Sequence, residues 1–272
     1  MPELQANGQT LFYEERGEGE PLLCIMGLAT DSLAWIPQLK AFTARHRTLT
    51  FDNRDVGRSS HADGPYEIKD MGHDTLALAD ALGLDSFHLL GLSMGGTIAQ
   101  ELALAAPERV RTLTLAVTYP RAGAWAKRNG ELWLDRARNM SREDRVDESM
   151  LLTMSEEFFE DAEKVEWLRK AILGNPNPQP VEAFGRQLHA SRRHDASDRL
   201  GSLTMPVHVI GAEHDVLVPV WRSKKLAELI PGAKLTVIPG APHGANLERS
   251  DEFNDAVLGF IEEHDRGLPR RP

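Results

Sequence analysis

Two rhythms of apolar positions alternate along this chain. Leu22-Leu23-Cys24-Ile25-Met26 is an unbroken apolar run closed by Gly27, which predicts a strand covered on both faces. Behind Asp31 or Ser32, either of which can cap a helix, Leu33, Ile36 and Leu39 return at helical spacing, and Thr48 to Phe51 reads as the next strand. Ile68, Met71, Thr75, Leu78 and Leu82 predict a helix, Ser86 to Leu90 a strand, and Met94, Ile98, Leu102 and Ala106 a helix stopped by Pro107. Strands follow at Arg111 to Val117, Val207 to Ile210 and Leu235 to Ile238, with Leu226 and Ile230 on a helix between the last two. Phe253, Val257, Phe260 and Ile261 mark a closing amphipathic helix, and Asn7-Gly8 before Gln9 to Glu15 predicts an opening hairpin. Strands alternating with helices imply an α/β fold with a mainly parallel sheet and helices on both faces.

One stretch breaks the alternation. From about 121 to 200 the pattern is helical and charged with no strand, interrupted by a turn at Gly174-Asn175-Pro176-Asn177-Pro178-Gln179-Pro180. Helices inserted between two sheet strands predict a cap or lid over a core made of residues 1–120 and 201–265. The tail, Arg266 to Pro272, reads as disordered.

Composition narrows the class. The 272 residues are 41% apolar and 26% charged, as in a folded globular chain of one or two domains. The net charge of −10 opposes nucleic acid and anionic lipid, and the longest apolar-plus-glycine stretch, Leu22 to Ala29, falls far short of a membrane span. Cys24 is the single cysteine, so no internal disulfide can form, and Met1 to Glu20 has no signal-like apolar run. A cytoplasmic location is the expectation.

The chemistry centres on Gly91-Leu92-Ser93-Met94-Gly95, a Gly-x-Ser-x-Gly placed between a predicted strand and a predicted helix. Such a sharp turn strains the serine backbone, and glycines two positions either side relieve collisions with strand and helix. It exposes the Ser93 hydroxyl at a helix N-terminus whose free N–H groups favour negative charge. A serine hydroxyl is a weak nucleophile, so a histidine base and an orienting acid are sought in the chain order Ser, Asp/Glu, His. Asp215 follows the Val207–Ile210 strand and His243 follows the Leu235–Ile238 strand, both at the sheet edge that carries Ser93. Glu213 is the nearby rival acid. Of the ten histidines, only His243 sits between the last predicted strand and the terminal helix.

At these residues the sequence resembles the α/β-hydrolase family, from Gln9 to His264, and the segment Phe51-Asp52-Asn53-Arg54-Asp55-Val56-Gly57-Arg58-Ser59-Ser60 looks like that family's pocket-edge motif. With Met26-Gly27-Leu28 and Gly-Leu-Ser-Met-Gly-Gly it is similar to the enol-lactonase and polyketide methylesterase branches. The resemblance implies an eight-stranded sheet with Ser93 as nucleophile, His243 as general base and Asp215 as its orienting acid. It also implies an oxyanion hole from the backbone N–H groups of Met94 and Leu28. The chain departs from the commoner His-Gly pattern by carrying Met26 before Gly27, so the histidine that often braces this loop is missing. Serine at the elbow, where resembling dehalogenases and epoxide hydrolases have aspartate, argues against those activities.

The expected function is therefore hydrolysis of a small ester or lactone with an apolar part, through an acyl-enzyme and without a cofactor. Carbon–carbon bond hydrolysis or perhydrolysis on the same residues, and a silent ligand-binding protein on this fold, are the alternatives. His214 beside Asp215, with His189 and His194 in the cap, hints at a metal, but no His-Glu-x-x-His pattern supports one, and the glycines of the elbow lack phosphate-loop or dinucleotide spacing. Cys24 reads as a filler of a buried strand and His208 as a core or surface histidine. Trp125 and Met154 are the candidate substrate contacts in the cap, and a homodimer is compatible with the chain.

Overall fold

Asn7 and Gly8 both adopt positive φ, 49° and 75°, the backbone that a two-residue hairpin turn requires. They join β1 (Glu3–Ala6) to β2 (Gln9–Arg16). In the computed structural model, which describes residues 2–265, these strands open an eight-stranded sheet of order β1-β2-β4-β3-β5-β6-β7-β8. Its other members are β3 (Pro21–Ile25), β4 (Arg47–Phe51), β5 (Phe87–Leu92), β6 (Val110–Ala116), β7 (Val207–Ala212) and β8 (Lys234–Ile238). The β1–β2 and β2–β4 pairings are antiparallel, and every pairing from β4 through β8 is parallel. The tail expected to be disordered, 266–272, lies outside the described residues.

Alternate residues of β3 go to opposite cores, as its unbroken apolar run predicts. Leu23 and Ile25 pack with α2 (Ile68–Ala81), α3 (Met94–Ala105) and α9 (Val220–Leu229), through Met71, Ile98 and Leu226 among others. Leu22 and Cys24 pack on the other face with Phe42 of α1 (Ile36–Thr43) and with Phe253, Val257 and Ile261 of α10 (Ser250–Asp265). Burial pushes the Cys24 thiol pKa up, leaving it an inert filler.

The face of α1 differs from the sequence expectation. Leu33 and Ile36 are exposed, while Trp35, Gln38 and Phe42 are buried. Asp31 caps a 3₁₀ turn, Ser32–Trp35, before the α-helix proper, and the tighter turn shifts the phase of every later side chain. Gln38 is tolerated inside because its amide donates to the Asn246 carbonyl at 2.6 Å.

Between β6 and β7 the chain forms α4 (Ala124–Asn139), α5 (Arg142–Thr153), α6 (Glu156–Phe159), α7 (Ala162–Leu173) and α8 (Val181–Arg193). Leu134 and Ala137 of α4 close a small apolar core with Phe184 and Leu188 of α8, and the side chain of Leu28, from the sheet edge, packs against it. Where this insertion leaves and rejoins the sheet its two ends run side by side. Arg121 and Asp195 form an antiparallel bridge, the Ala122 N–H donates to the His194 carbonyl, and the Ala196 N–H to the Pro120 carbonyl. Among the described residues no helix is long and apolar enough to cross a membrane.

Candidate active site

The carboxyl ends of β3, β4, β5, β7 and β8 all open on one edge of the sheet, so residues distant in sequence meet there. Ser93 sits at the step from β5 into α3 with φ 57° and ψ −119°, a conformation L-residues adopt only when their surroundings enforce it. The enforcement is visible. A Cβ on Gly91 would strike the Gly95 backbone, and one on Gly95 would strike the Ile25 carbonyl. Ser93 is pinned further by its N–H donating to the Ala116 carbonyl at 2.9 Å and by the Thr118 hydroxyl donating to its carbonyl at 2.7 Å.

The Ser93 hydroxyl lies 3.0 Å from His243 Nε2, and His243 Nδ1 lies 2.7 Å from Asp215 Oδ2. The other carboxylate oxygen of Asp215 accepts the N–H groups of Leu217 and Val218, at 2.8 and 2.7 Å. Asp215 and His243 are both buried, whereas Ser93 keeps part of its surface open. An acceptor-only carboxylate beside Nδ1 fixes the proton on that nitrogen and leaves Nε2 with its lone pair toward the hydroxyl. The rival acid, Glu213, is exposed and accepts from the Gly240 N–H instead.

Met94 is the first residue of α3, and Gly27 abuts Ser93 so closely that a Cβ there would stand 3.1 Å from Ser93 Cβ. Among the described residues no acceptor takes the N–H of Met94 or of Leu28. The loop holding Leu28 lacks the histidine brace, and the structure shows what replaces it. The Asn53 amide donates to the Met26 carbonyl at 2.9 Å, and Gln187 Oε1 of α8 accepts the Ala29 N–H at 3.1 Å. Asp52, wholly buried, receives the Ser32 N–H and hydroxyl and the Arg58 backbone and guanidinium. The stretch after β4 thus shapes the edge of the site. Asn53 and Asp52 fall within the motif noted in the sequence, but no sequence signal singles out Gln187.

Met154, buried, packs beside Gly244 of the His243 loop, where a Cβ would meet its sulfur at 3.1 Å. Trp125 stands exposed on the first turn of α4, and among the described residues no hydrogen bond or ring contact ties it to Ser93, His243 or Asp215. His208 is buried in β7, bonded to the Thr236 hydroxyl at 2.8 Å. His189 and His214 are exposed, and His194 bonds Gln100 and Glu101. Among the described residues no group of three His, Cys, Asp or Glu is placed to hold a metal ion.

The sequence model of the α/β-hydrolase fold matches residues 20–250. The chain belongs to the α/β-hydrolase family. Among its relatives, a protein named as a candidate carbamate hydrolase, RutD, from Azorhizobium caulinodans is 32% identical, covering 98% of this chain and 100% of its own. The crystal structure of a hydrolase from Pseudomonas aeruginosa superposes with a TM-score of 0.87 at 29% identity, covering 96% of this chain and 97% of the other. That of an enol-lactonase from Burkholderia xenovorans superposes with the same TM-score at 26% identity, covering 96% and 100%. The protein is a hydrolase of this family, as the elbow and its strand–helix setting predict.

Proposed function

We propose that this protein is a serine hydrolase that cleaves a small carboxylic ester or lactone through an acyl-enzyme. The observation that carries the reading is the unbroken hydrogen-bonded line from Ser93 Oγ through the His243 ring to Asp215. His243 Nε2 takes the hydroxyl proton as Ser93 Oγ bonds to the carbonyl carbon, and Asp215 stabilises the imidazolium that forms. The carbonyl oxygen, now negative, meets the N–H groups of Met94 and Leu28, aided by the positive end of α3. The same proton then goes to the leaving alcohol. Water enters with His243 again as base, breaks the acyl–serine bond and releases the acid.

The inserted helices act as a cap over a substrate with an apolar part, with Met154 beside the His243 loop as one wall. Trp125 is proposed as a contact at the outer margin, consistent with its exposure. A second reading follows from the 32% identical relative named as a candidate carbamate hydrolase: a carbamate carbonyl is open to the same attack. A burst assay with p-nitrophenyl acetate, p-nitrophenyl butyrate and a p-nitrophenyl carbamate, comparing wild type with Ser93→Ala, tests both. A burst and steady turnover that vanish in the variant support acyl transfer at Ser93, and hydrolysis that survives in the variant overturns it.

A further inference from the structure

We infer that Gln187 of α8 is a positioning residue for the oxyanion hole, which makes the seating of the inserted helices a condition of catalysis. The inference rests on the serine-hydrolase reading above. Gln187 is wholly buried, and both polar atoms of its amide are hydrogen-bonded. Its Oε1 accepts the Ala29 N–H at 3.1 Å and the Gln179 amide at 3.0 Å, and its Nε2 donates to the Arg54 carbonyl at 2.8 Å. Gln179 in turn donates to the Asp55 carbonyl at 2.9 Å. One glutamine of the insertion thus bridges the loop after β3 and the loop after β4.

Its acceptor is aimed one residue beyond the proposed oxyanion donor. Ala29 has φ 60°, the left-handed region that is strained for an L-residue. Something must hold it there, because relaxation at Ala29 rotates the Leu28–Ala29 peptide, and the shift passes through Leu28 to the preceding peptide, which carries the proposed donor. Three contacts oppose that relaxation: the Asn53 amide on the Met26 carbonyl, the Leu28 side chain against the α4–α8 core, and Gln187 on the Ala29 N–H. The second and third come from the inserted helices. When α8 is seated, the Leu28 donor points at the position of the oxyanion, and when α8 shifts, the donor goes with it.

The test uses the full-length protein with p-nitrophenyl butyrate and a trifluoromethyl ketone. In the ketone adduct Ser93 Oγ bonds to the carbonyl carbon, the hydroxyl proton passes to His243, and the carbonyl oxygen becomes the oxyanion. Gln187→Met keeps the shape and loses the acceptor, so kcat should fall about tenfold to a hundredfold, short of the 10²–10³ seen when a donor is removed outright. Ketone affinity should fall by the same factor, with KM nearly unchanged. Gln187→Glu, as the neutral acid that burial favours, keeps an acceptor for the Ala29 N–H and an O–H donor for the Arg54 carbonyl, and should restore most of kcat. Asn175→Ala cuts a different tie between the insertion and the core, the 2.6 Å bond to Asp31, and should leave kcat and ketone affinity as in wild type. Folded Gln187→Met with wild-type kcat, or Gln187→Glu and Asn175→Ala as impaired as Gln187→Met, overturns the inference while leaving Ser93 acyl transfer intact. Hydrolysis that persists in Ser93→Ala overturns both.

Discussion

The Gly244 N–H donates to the Thr153 carbonyl at 2.7 Å, so the residue after His243 is hydrogen-bonded to the last turn of α5. A Cβ on Gly244 would lie 3.0 Å from that carbonyl oxygen and 3.1 Å from the Met154 sulfur. Its φ of −76° suits any residue, so the cost of Gly244→Ala is crowding alone. The neighbours give by a few tenths of an ångström, and His243 moves with them. We expect kcat to fall about threefold to tenfold, since sub-ångström misplacement of the proposed base is already costly, with little change in Tm. Steady-state kinetics on p-nitrophenyl butyrate beside a thermal melt checks it, and unchanged kcat would show that the histidine loop is not set by this contact.

Asp215→Asn separates orientation from folding. The remaining amide oxygen can still accept the Leu217 and Val218 N–H groups, but the amide nitrogen donates toward His243 Nδ1 and so favours the tautomer with the proton on Nε2. A base protonated at Nε2 cannot take the Ser93 proton, and kcat should drop by about 10⁴ with stability nearly retained. Asp215→Ala should lose activity and, by orphaning two backbone donors, also ~1–3 kcal/mol of stability. Urea unfolding of the two variants distinguishes them, and equal stabilities would contradict the proposed division of labour between the two carboxylate oxygens.

The buried ion pair of Arg54 and Asp74 is two-pronged, both contacts 2.5 Å, with side chains only 8% and 3% exposed. Asn7 adds a third bond to the same carboxylate. Asp74→Ala strands the guanidinium beneath the loop that carries Asn53 and Asp55, at a cost of ~3–5 kcal/mol. Chemical denaturation reads this directly. A loss under 1 kcal/mol would mean that Arg54 finds water in place of its partner.

Burial lowers the His208 pKa to about 4, with Lys234 and His264 pushing the same way and Glu263 opposing. An unfolded histidine titrates near ~6.5. Above that pH both states are neutral and the contribution of His208 is whole. Between ~6.5 and about 4 the unfolded chain binds the proton first, so stability falls as pH falls, by on the order of a few kcal/mol. Subtracting the unfolding free energies of His208→Gln from those of wild type across this window should reveal the slope, and a difference that is flat with pH would refute the assignment.

How far the sequence carried depended on the range of the interaction. The elbow was readable because the strain at Ser93 and its relief at Gly91 and Gly95 lie within five residues. Asp215 and His243 were readable because parallel topology delivers the ends of β7 and β8 to the same edge as β5. The α1 face was misread because a 3₁₀ turn reset its phase and because Gln38 is buried by a partner 208 residues away. Gln187 was invisible for the same reason. It lies among charged residues on α8, and what gives it meaning is a left-handed alanine 158 residues earlier.

The bridge between Arg121 and Asp195 has a consequence for how such proteins diversify. Because the insertion departs and returns at adjacent points, already hydrogen-bonded to each other, the sheet sees it as a closed loop whose length hardly affects the entropy of closure. Helices can be lengthened, exchanged or re-angled outside that clasp without disturbing the register of β6 on β7. A graft of another family member's helices between Pro120 and Ala196 would therefore preserve the strands that deliver Ser93, Asp215 and His243. It would keep the proposed Leu28 donor aligned only if the graft also supplied an acceptor at the place of Gln187.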